Sequence, residues 1–338
     1  GRFASVKAML DFSFKPVQLS TKDATLPFFI EGETVAKKWA GLVVVNSSKN
    51  NTTGMSITAA VEDQKIQTNI SNIAPQIARK VAIEIPVPKN TSKGSYKVAL
   101  TLMSNNQIID TTSVVVTAVK SSEHASHTFI SGIDGSVQYY AVAPQANDNK
   151  TNPSLFLSVH GAEVEAISQA RAYKPKTEGP IVAPTNRRPR GFNWEDWGRL
   201  DALEVFEIAK KIYQPNPQHI YLTGHSMGGH GALTLAMSLP GRFASVSAFA
   251  PIAHPTASDW GRKQLTAYLG ADEASWSAHD ATLLMQEKGF DGPVLIDQGT
   301  SDQFLDLLMP EALSGAIAKR RQNGTFRMQP GYDHSYFF

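Results

Sequence analysis

The chain of 338 residues contains no cysteine, which excludes disulfides, thiolate catalysis and cysteine-bound zinc and leaves the redox compartment open. It has no basic or acidic run: 32 Lys and Arg against 30 Asp and Glu give a formal net charge of +2. The electrostatic footprint of a protein that binds nucleic acid or an acidic membrane surface is therefore missing, and neither is expected as a partner. No apolar stretch reaches the roughly 18 residues that would span a bilayer. No charged-then-apolar leader follows Gly1, so a signal peptide was either removed or never present. What is present, 42% hydrophobic and 18% charged residues, suffices for two globular domains with separate cores.

The pattern of the chain changes near residue 120. From roughly Trp39 to Val119 apolar residues alternate with polar ones, as in Met55, Ile57, Ala59 and Val61, in Val81, Ile83, Ile85 and Val87, and in Tyr96, Val98, Leu100 and Leu102. Turn-forming clusters, "NSSKNNTTG", "PKNTSKG" and "SNNQ", separate these strands. Residues 1–120 read as an all-β, immunoglobulin-like sandwich, with a spacer or scaffold role favoured over carbohydrate or partner binding. The polar segment at 121–128 reads as a linker. Its His124 and His127 form an H-x-x-H pair without a third ligand, so a solvated linker is favoured over a metal site and no metal or cofactor is expected. From 129 to 338 short apolar runs alternate with helical ones: "SLFLSVHG", "GPIVAPTN", "HIYLTGHS", "SVSAFAP" and "PVLIDQG" as strands, and "DALEVFEIAKKIY", "GGHGALTLAMSL" and "PEALSGAIAKRRQ" as helices. In the first helix Leu203, Phe206, Ala209 and Ile212 share one face. Strands alternating with helices predict a mostly parallel sheet covered on both faces, an α/β-hydrolase type of domain.

The sharpest local signal is Gly224-His225-Ser226-Met227-Gly228, a G-x-S-x-G between a strand and a helix. Such a turn holds the serine in a strained backbone conformation, and small flanking residues keep it free of clashes. The helix N-terminus that follows makes the Met227 N–H a candidate oxyanion donor. A serine hydroxyl needs a base and a group to orient that base. In this fold class they follow in the order Ser, acid, His. His334, in a loop after the last strand, is the candidate base, while His254 and His279 fall out of order. Asp302 lies beyond a strand end and is the candidate acid; Asp297 is still within the strand and Asp333 is too close in sequence to His334. The second oxyanion donor is expected from "VHGAE", where the Ala162 N–H follows His160 and Gly161. His225 and His230 share the nucleophile's own turn and helix and read as structural. A loop carrying Arg187, Arg188, Arg190, Trp194 and Trp197 reads either as the lining of an acyl or sugar-acid pocket or as a solvated loop with buried tryptophans. His160 and Gly161 are further candidate substrate contacts.

The segments "YLTGHSMGGHGALTLAMSLPGRFASVSAFAPIAHP", "WGRKQLTAYLGAD", "VLIDQGTSDQFL" and "GYDHSYFF" resemble the S-formylglutathione hydrolase, or esterase D, family through about 120 residues. The resemblance implies Ser226, Asp302 and His334 as a triad, in agreement with order and placement, and hydrolysis of small acyl esters and of S-formylglutathione. Residues 122–218 instead resemble secreted bacterial two-domain esterases and peptidase-like hydrolases with an immunoglobulin-like domain in front. A serine carboxylesterase acting on small acyl esters or thioesters is the leading reading. The alternatives are a secreted acetyl or feruloyl esterase acting on plant polysaccharide, a prolyl-oligopeptidase-type peptidase, and a binding module with an inactive hydrolase half. The last is disfavoured because all triad positions are intact. The N-terminal domain favours a periplasmic or secreted location and the esterase D resemblance a cytoplasmic one; the oligomeric state, a homodimer included, stays open. Finally, "GRFASV" occurs at residues 1–6 and again at 241–246, and the family's last helix does not follow "YDHSYFF". Both features suggest a mosaic, a fragment or an imperfect sequence.

Overall fold

The computed structural model describes residues 15–147, 151–187 and 194–335. The first copy of "GRFASV", Arg188 and Arg190 lie outside the described residues. Contacts divide the chain into one unit of residues 1–26, 34–89 and 95–117 and another of residues 27–33, 90–94 and 118–338.

The first eight strands are β1 (Val17–Thr25), β2 (Phe29–Ile30), β3 (Lys37–Asn46), β4 (Met55–Val61), β5 (Gln64–Asn69), β6 (Ile77–Pro86), β7 (Gly94–Ser104) and β8 (Gln107–Val119), with no helix between them among the described residues. In the first unit β1, β3 and β6 form one sheet, and β8, β7, β4 and β5 run side by side in another. Alternation decides which residues are inside. Leu42, Val44, Ile83 and Ile85 are buried from the first sheet, and Ile57, Ala59, Val98, Leu100, Leu102 and Val116 from the second. The β7–β8 hairpin turns on Asn105 and Asn106 at φ 48° and 64°. A two-residue turn whose strands follow the right-handed twist needs this left-handed pair, and asparagine tolerates it. The "NSSKNN" turn is organised by the buried Asn46, whose Nδ2 donates to the carbonyls of Asn50, Ile73 and Ala74 at 2.9–3.0 Å. The short β2 pairs in parallel with Ala118 and Val119 and belongs to the second unit.

The second unit is built on β9 (Ala125–Ile130), β10 (Val137–Ala143), β11 (Leu155–Val159), β12 (Ile181–Pro184), β13 (Ile220–His225), β14 (Ser245–Phe249), β15 (Val294–Gly299) and β16 (Gly324–Gln329). They form one sheet in the order β16-β15-β14-β13-β11-β12-β10-β9. All pairs are parallel except those made by β10, which runs against both neighbours. Among the described residues seven α-helices lie between or beside them: α1 (Ala166–Arg171), α2 (Trp197–Tyr213), α3 (Met227–Ser238), α4 (Asp259–Leu269), α5 (Ala281–Glu287), α6 (Leu305–Leu308) and α7 (Pro310–Arg320). One large core joins α2, α3, α5 and α7 to Leu155, Leu157, Val159, Leu222, Val246, Ala248, Val294 and Ile296 of the strands. A smaller cluster seats α1 on Ala141 and Ala183. The chain steps outward from β11 to β12, then returns through α2 to β13 on the other side of β11. Such a reversal opens a crevice at the carboxyl ends of the strands, where ligands of open α/β sheets bind. No helix among the described residues is long and apolar enough to cross a membrane.

Two details differ from the sequence reading. The segment expected as a linker runs into β9, whose residues from Ala125 to Ile130 pair with β10. His124 lies beside the Tyr173 carbonyl at 2.9 Å and His127 stacks on Tyr140, so the two histidines serve different contacts. The polar alternation of an edge strand looks like a solvated linker in sequence. The inner face of α2 is Ala202, Val205, Phe206 and Ala209, while Ile212 is 56% exposed. The buried Asp201 lies on that inner stripe, and its charge disguised the face. Phe206→Ala should therefore destabilise the protein by about 3–5 kcal/mol, and Ile212→Ala by less than about 0.5 kcal/mol, as read by urea unfolding. Similar losses at both positions would contradict the assigned face.

Candidate active site

Ser226 sits between β13 and α3 with φ 57° and ψ −121°, a conformation that side chains rarely adopt. Packing explains why its neighbours are small. A Cβ on Gly224 would lie 2.2 Å from the Gly228 carbonyl oxygen, and one on Gly228 would lie 2.0 Å from that of Val159. A Cβ on Gly231 would fall 2.6 Å from the Trp194 side chain. The first turn of α3 is thus pressed against the end of β11. The Ser226 N–H donates to the Phe249 carbonyl at 2.8 Å, which ties the turn to β14.

The structure brings three of the candidate residues into line. The Ser226 Oγ lies 2.8 Å from His334 Nε2, and His334 Nδ1 lies 2.8 Å from Asp302 Oδ2. A carboxylate accepts only, so Nδ1–H donates to Asp302 and Nε2 is left to accept from the hydroxyl. Asp302 is itself held: Gln298 Nε2 donates to Oδ2 at 2.9 Å and the Phe304 N–H to Oδ1 at 2.8 Å. The Phe304 ring meets the His334 imidazole edge-on at 5.0 Å. Ser226 and Asp302 are buried, and His334 is largely so. The other acids are engaged elsewhere. Asp297 lies directly across from Arg327 in the β15–β16 register and pairs with it, and Asp333 accepts from the Ser335 N–H at 2.9 Å.

The remaining histidines have other partners. His254 Nδ1 faces Asp280 at 2.8 Å, and that hydrogen bond raises its pKa. His230 Nε2–H donates to the His279 carbonyl at 2.9 Å. His225 Nε2–H donates to the main-chain carbonyl of His334 at 2.7 Å. Burial and the neighbouring His334 push its pKa down to about 4, so its ring is neutral near neutral pH. Sequence reasoning set His225 aside as structural, and nothing in the motif's spacing reveals that its ring reaches the loop of His334.

Val159 is level with Gly224 in the β11–β13 register, so the 160–162 loop leaves the sheet beside Ser226. At Gly161 a Cβ would come within 3.4 Å of the Ser226 Cβ. Met227 is the first residue of α3, where the amide has no acceptor within the helix. Among the described residues neither its N–H nor that of Ala162 is taken by a protein acceptor. Two donors beside a serine, with a histidine and an acid in line, can stabilise an oxyanion formed by attack on a carbonyl.

The other candidate contacts fall into two groups. His160 is fully buried; its Nδ1–H donates to the Gly161 carbonyl at 2.8 Å, its ring meets Trp194 edge-on, and burial lowers its pKa. Trp194, 2% exposed, donates from Nε1 to the His160 carbonyl at 2.9 Å. Neither offers its side chain to a ligand in solution; both pack behind the 160–162 loop. Arg187 is spent on Asp134 at 2.5 Å and on Ser131 at 2.8 Å, with Glu204 beyond at 3.5 Å. Trp197, 51% exposed, lies under the Arg187 guanidinium.

Such a sheet, with a serine on a strained strand-to-helix turn and a histidine and an aspartate in line, defines an α/β hydrolase of the serine-esterase class. The model of the Esterase family matches residues 164–337, and the chain belongs to that family. An S-formylglutathione hydrolase of Paracoccus denitrificans (strain Pd 1222) is 74% identical over 117 residues, 35% of this chain and 42% of that protein. One from Rattus norvegicus is 45% identical over 229 residues, 58% of this chain and 80% of that protein. A solved structure of an S-formylglutathione hydrolase from Agrobacterium tumefaciens superimposes with a TM-score of 0.53 at 27% identity, over 64% of this chain and 89% of that one. The likeness to this family therefore extends beyond the roughly 120 residues whose motifs carry it in sequence.

Behind the site, the buried Asp201 accepts from the Thr185 N–H at 2.9 Å and holds the loop after β12. Burial raises its pKa to about 6 against the pull of Arg187 and the loop amides. The folded protein thus binds this proton more tightly than the unfolded chain, whose value is near 3.8. Stability from this group is full below about pH 4 and is lost as the pH rises to about 6. Asp201→Asn should remove that slope, so that its melting temperature gains on the parent's between pH 4.5 and pH 7.5. A parallel pair of profiles would show that Asp201 ionises normally.

Proposed function

We propose that the protein hydrolyses small acyl esters and thioesters, with S-formylglutathione as a substrate, through a Ser-His-Asp triad. The observation that carries this reading is the unbroken hydrogen-bonded line Asp302–His334–Ser226. Ser226 Oγ attacks the acyl carbonyl while His334 Nε2 takes its proton, and Asp302 stabilises the imidazolium. The Met227 and Ala162 amides receive the oxyanion. His334 then protonates the departing thiolate or alkoxide. A water deprotonated by the same nitrogen releases the acid from the acyl-enzyme and restores Ser226. The extensive identity to S-formylglutathione hydrolases supports the thioester over a polysaccharide ester.

The all-β unit is read as an immunoglobulin-like spacer over residues 1–120, ahead of a connection that β9 shortens from 121–128 to 121–124 and a catalytic domain that then begins at Ala125. Its two sheets, antiparallel in the β1–β3–β6 and β7–β4–β5 pairings, support that reading.

Turnover of S-formylglutathione, p-nitrophenyl acetate and methyl ferulate by one preparation tests the assignment. The glutathione thioester should be preferred, and Ser226→Ala and His334→Ala should each lose at least about 10⁴-fold in kcat with the fold unchanged by circular dichroism. Asp302→Asn should lose on the order of 10⁴-fold. Undiminished turnover by Ser226→Ala would overturn the mechanism, and a preference for methyl ferulate would overturn the substrate.

A further inference from the structure

The proposed base and acid travel together. The loop carrying His334 is bonded to the loop carrying Asp302: the Ser301 N–H donates to the Tyr332 carbonyl and the Gly331 N–H to Thr300 Oγ1, each at 3.0 Å. Tyr332 packs so closely on Gly299 that a Cβ there would lie 2.2 Å from its carbonyl oxygen. Both loops leave from β15 and β16, whereas Ser226 leaves from β13, with β14 between. The hydrogen bond from Ser226 Oγ to His334 Nε2 joins the two halves, but it is the bond that catalysis must break when the hydroxyl proton moves and Oγ turns to the substrate. An anchor that survives that step has to come from elsewhere.

We infer that His225 is that anchor, a positioning residue that fixes the base to the nucleophile's strand through its Nε2–H bond to the His334 main-chain carbonyl. The bond is 2.7 Å long and spans 109 positions of sequence. It holds the backbone of His334 rather than its ring, so it persists whether the imidazole is neutral or charged. The two rings lie 5.1 Å apart. A second positive charge there would oppose the imidazolium, and His225 avoids this by staying neutral. Its other nitrogen faces Gly161, where a Cβ would come within 3.6 Å of Nδ1. The same ring therefore adjoins the oxyanion loop, the nucleophile and the base.

The assignment rests on the triad reading above, and its test separates the two. His225→Phe keeps a ring of similar size and removes the donor; His225→Gln keeps an N–H at comparable reach; His225→Asn keeps the polarity but falls short. With p-nitrophenyl acetate, His225→Phe should lose about 10–100-fold in kcat with KM little changed, the scale of a misplaced catalytic group. His225→Gln should recover most of that loss and His225→Asn should not, with melting temperatures alike in all three. Nitrogen-detected spectra of the parent should show a neutral His225 protonated on Nε2 at pH 7. If His225→Phe fails to fold, the Gln and Asn variants decide. Equal kcat in those two, near-parental turnover by a folded His225→Phe, or a proton on Nδ1 of His225 would overturn the inference. Each of these results leaves the triad standing, which falls instead if Ser226→Ala retains turnover.

Discussion

The site depends on one close approach, that of the first turn of α3 to the end of β11. With Gly228 so near the Val159 carbonyl that no Cβ fits, the chain must turn from strand to helix within one residue, and Ser226 takes up the strain. A strained residue of this kind costs about 1–3 kcal/mol and persists only where its surroundings over-determine it. Here the surroundings are the large core under α3, the Ser226 N–H bond to Phe249 and the Trp194 side chain filling the space beside Gly231. The same approach sets the amide of Met227 near the loop of Ala162. The strained geometry of Ser226 and the placing of the proposed oxyanion donors follow from a single packing contact.

The sheet then fixes the distances. Neighbouring strands lie about 4.8 Å apart, so β15, which leads to Asp302, is displaced by about 10 Å from β13, which leads to Ser226, and β16, which leads to His334, by about 14 Å. Asp302 covers its distance by sitting beyond the strand end, oriented by Gln298 and the Phe304 amide. His334 has further to come, and its loop bends back at Gly331, φ 80°, before its carbonyl meets His225. Residues that look remote in sequence are joined because the loops are anchored at both ends of that span.

Much of this was legible in the sequence, for reasons that can be named. The strands of the first unit betray themselves by apolar–polar alternation, those of the second by short apolar runs between helical segments, and the turn at Ser226 by its glycines, which mark steric exclusion directly. The separation of Asp302 from Asp297 is a matter of strand length: the residue in register with Arg327 is consumed by it, and the one past the end is free to reach a histidine. What stayed hidden depends on three-dimensional partners. Asp201 on the inner stripe of α2 reads as an outward charge until its loop amides are seen. Edge strand β9 reads as a linker because an edge need not be apolar. His160, Trp194 and Arg187 are pocket-like by residue type, yet the first two are buried props and the third is neutralised by Asp134.

These props bear on electrostatics. The acyl transfer proposed for Ser226 and His334 would develop positive charge on one imidazole and negative charge on one oxygen. His160 and His225 both flank the serine, and burial holds both below the usual histidine range. Arg187 and Arg327 are engaged by Asp134 and Asp297, whereas Asp302 is held by Gln298, the Phe304 amide and His334. Burial thus favours the neutral form of both flanking rings, while Asp302 is aimed at Nδ1 of the third histidine, His334. In the proposed mechanism His334 is then the ring that takes up the proton of Ser226, and the neutral rings on either side do not oppose the charge it gains.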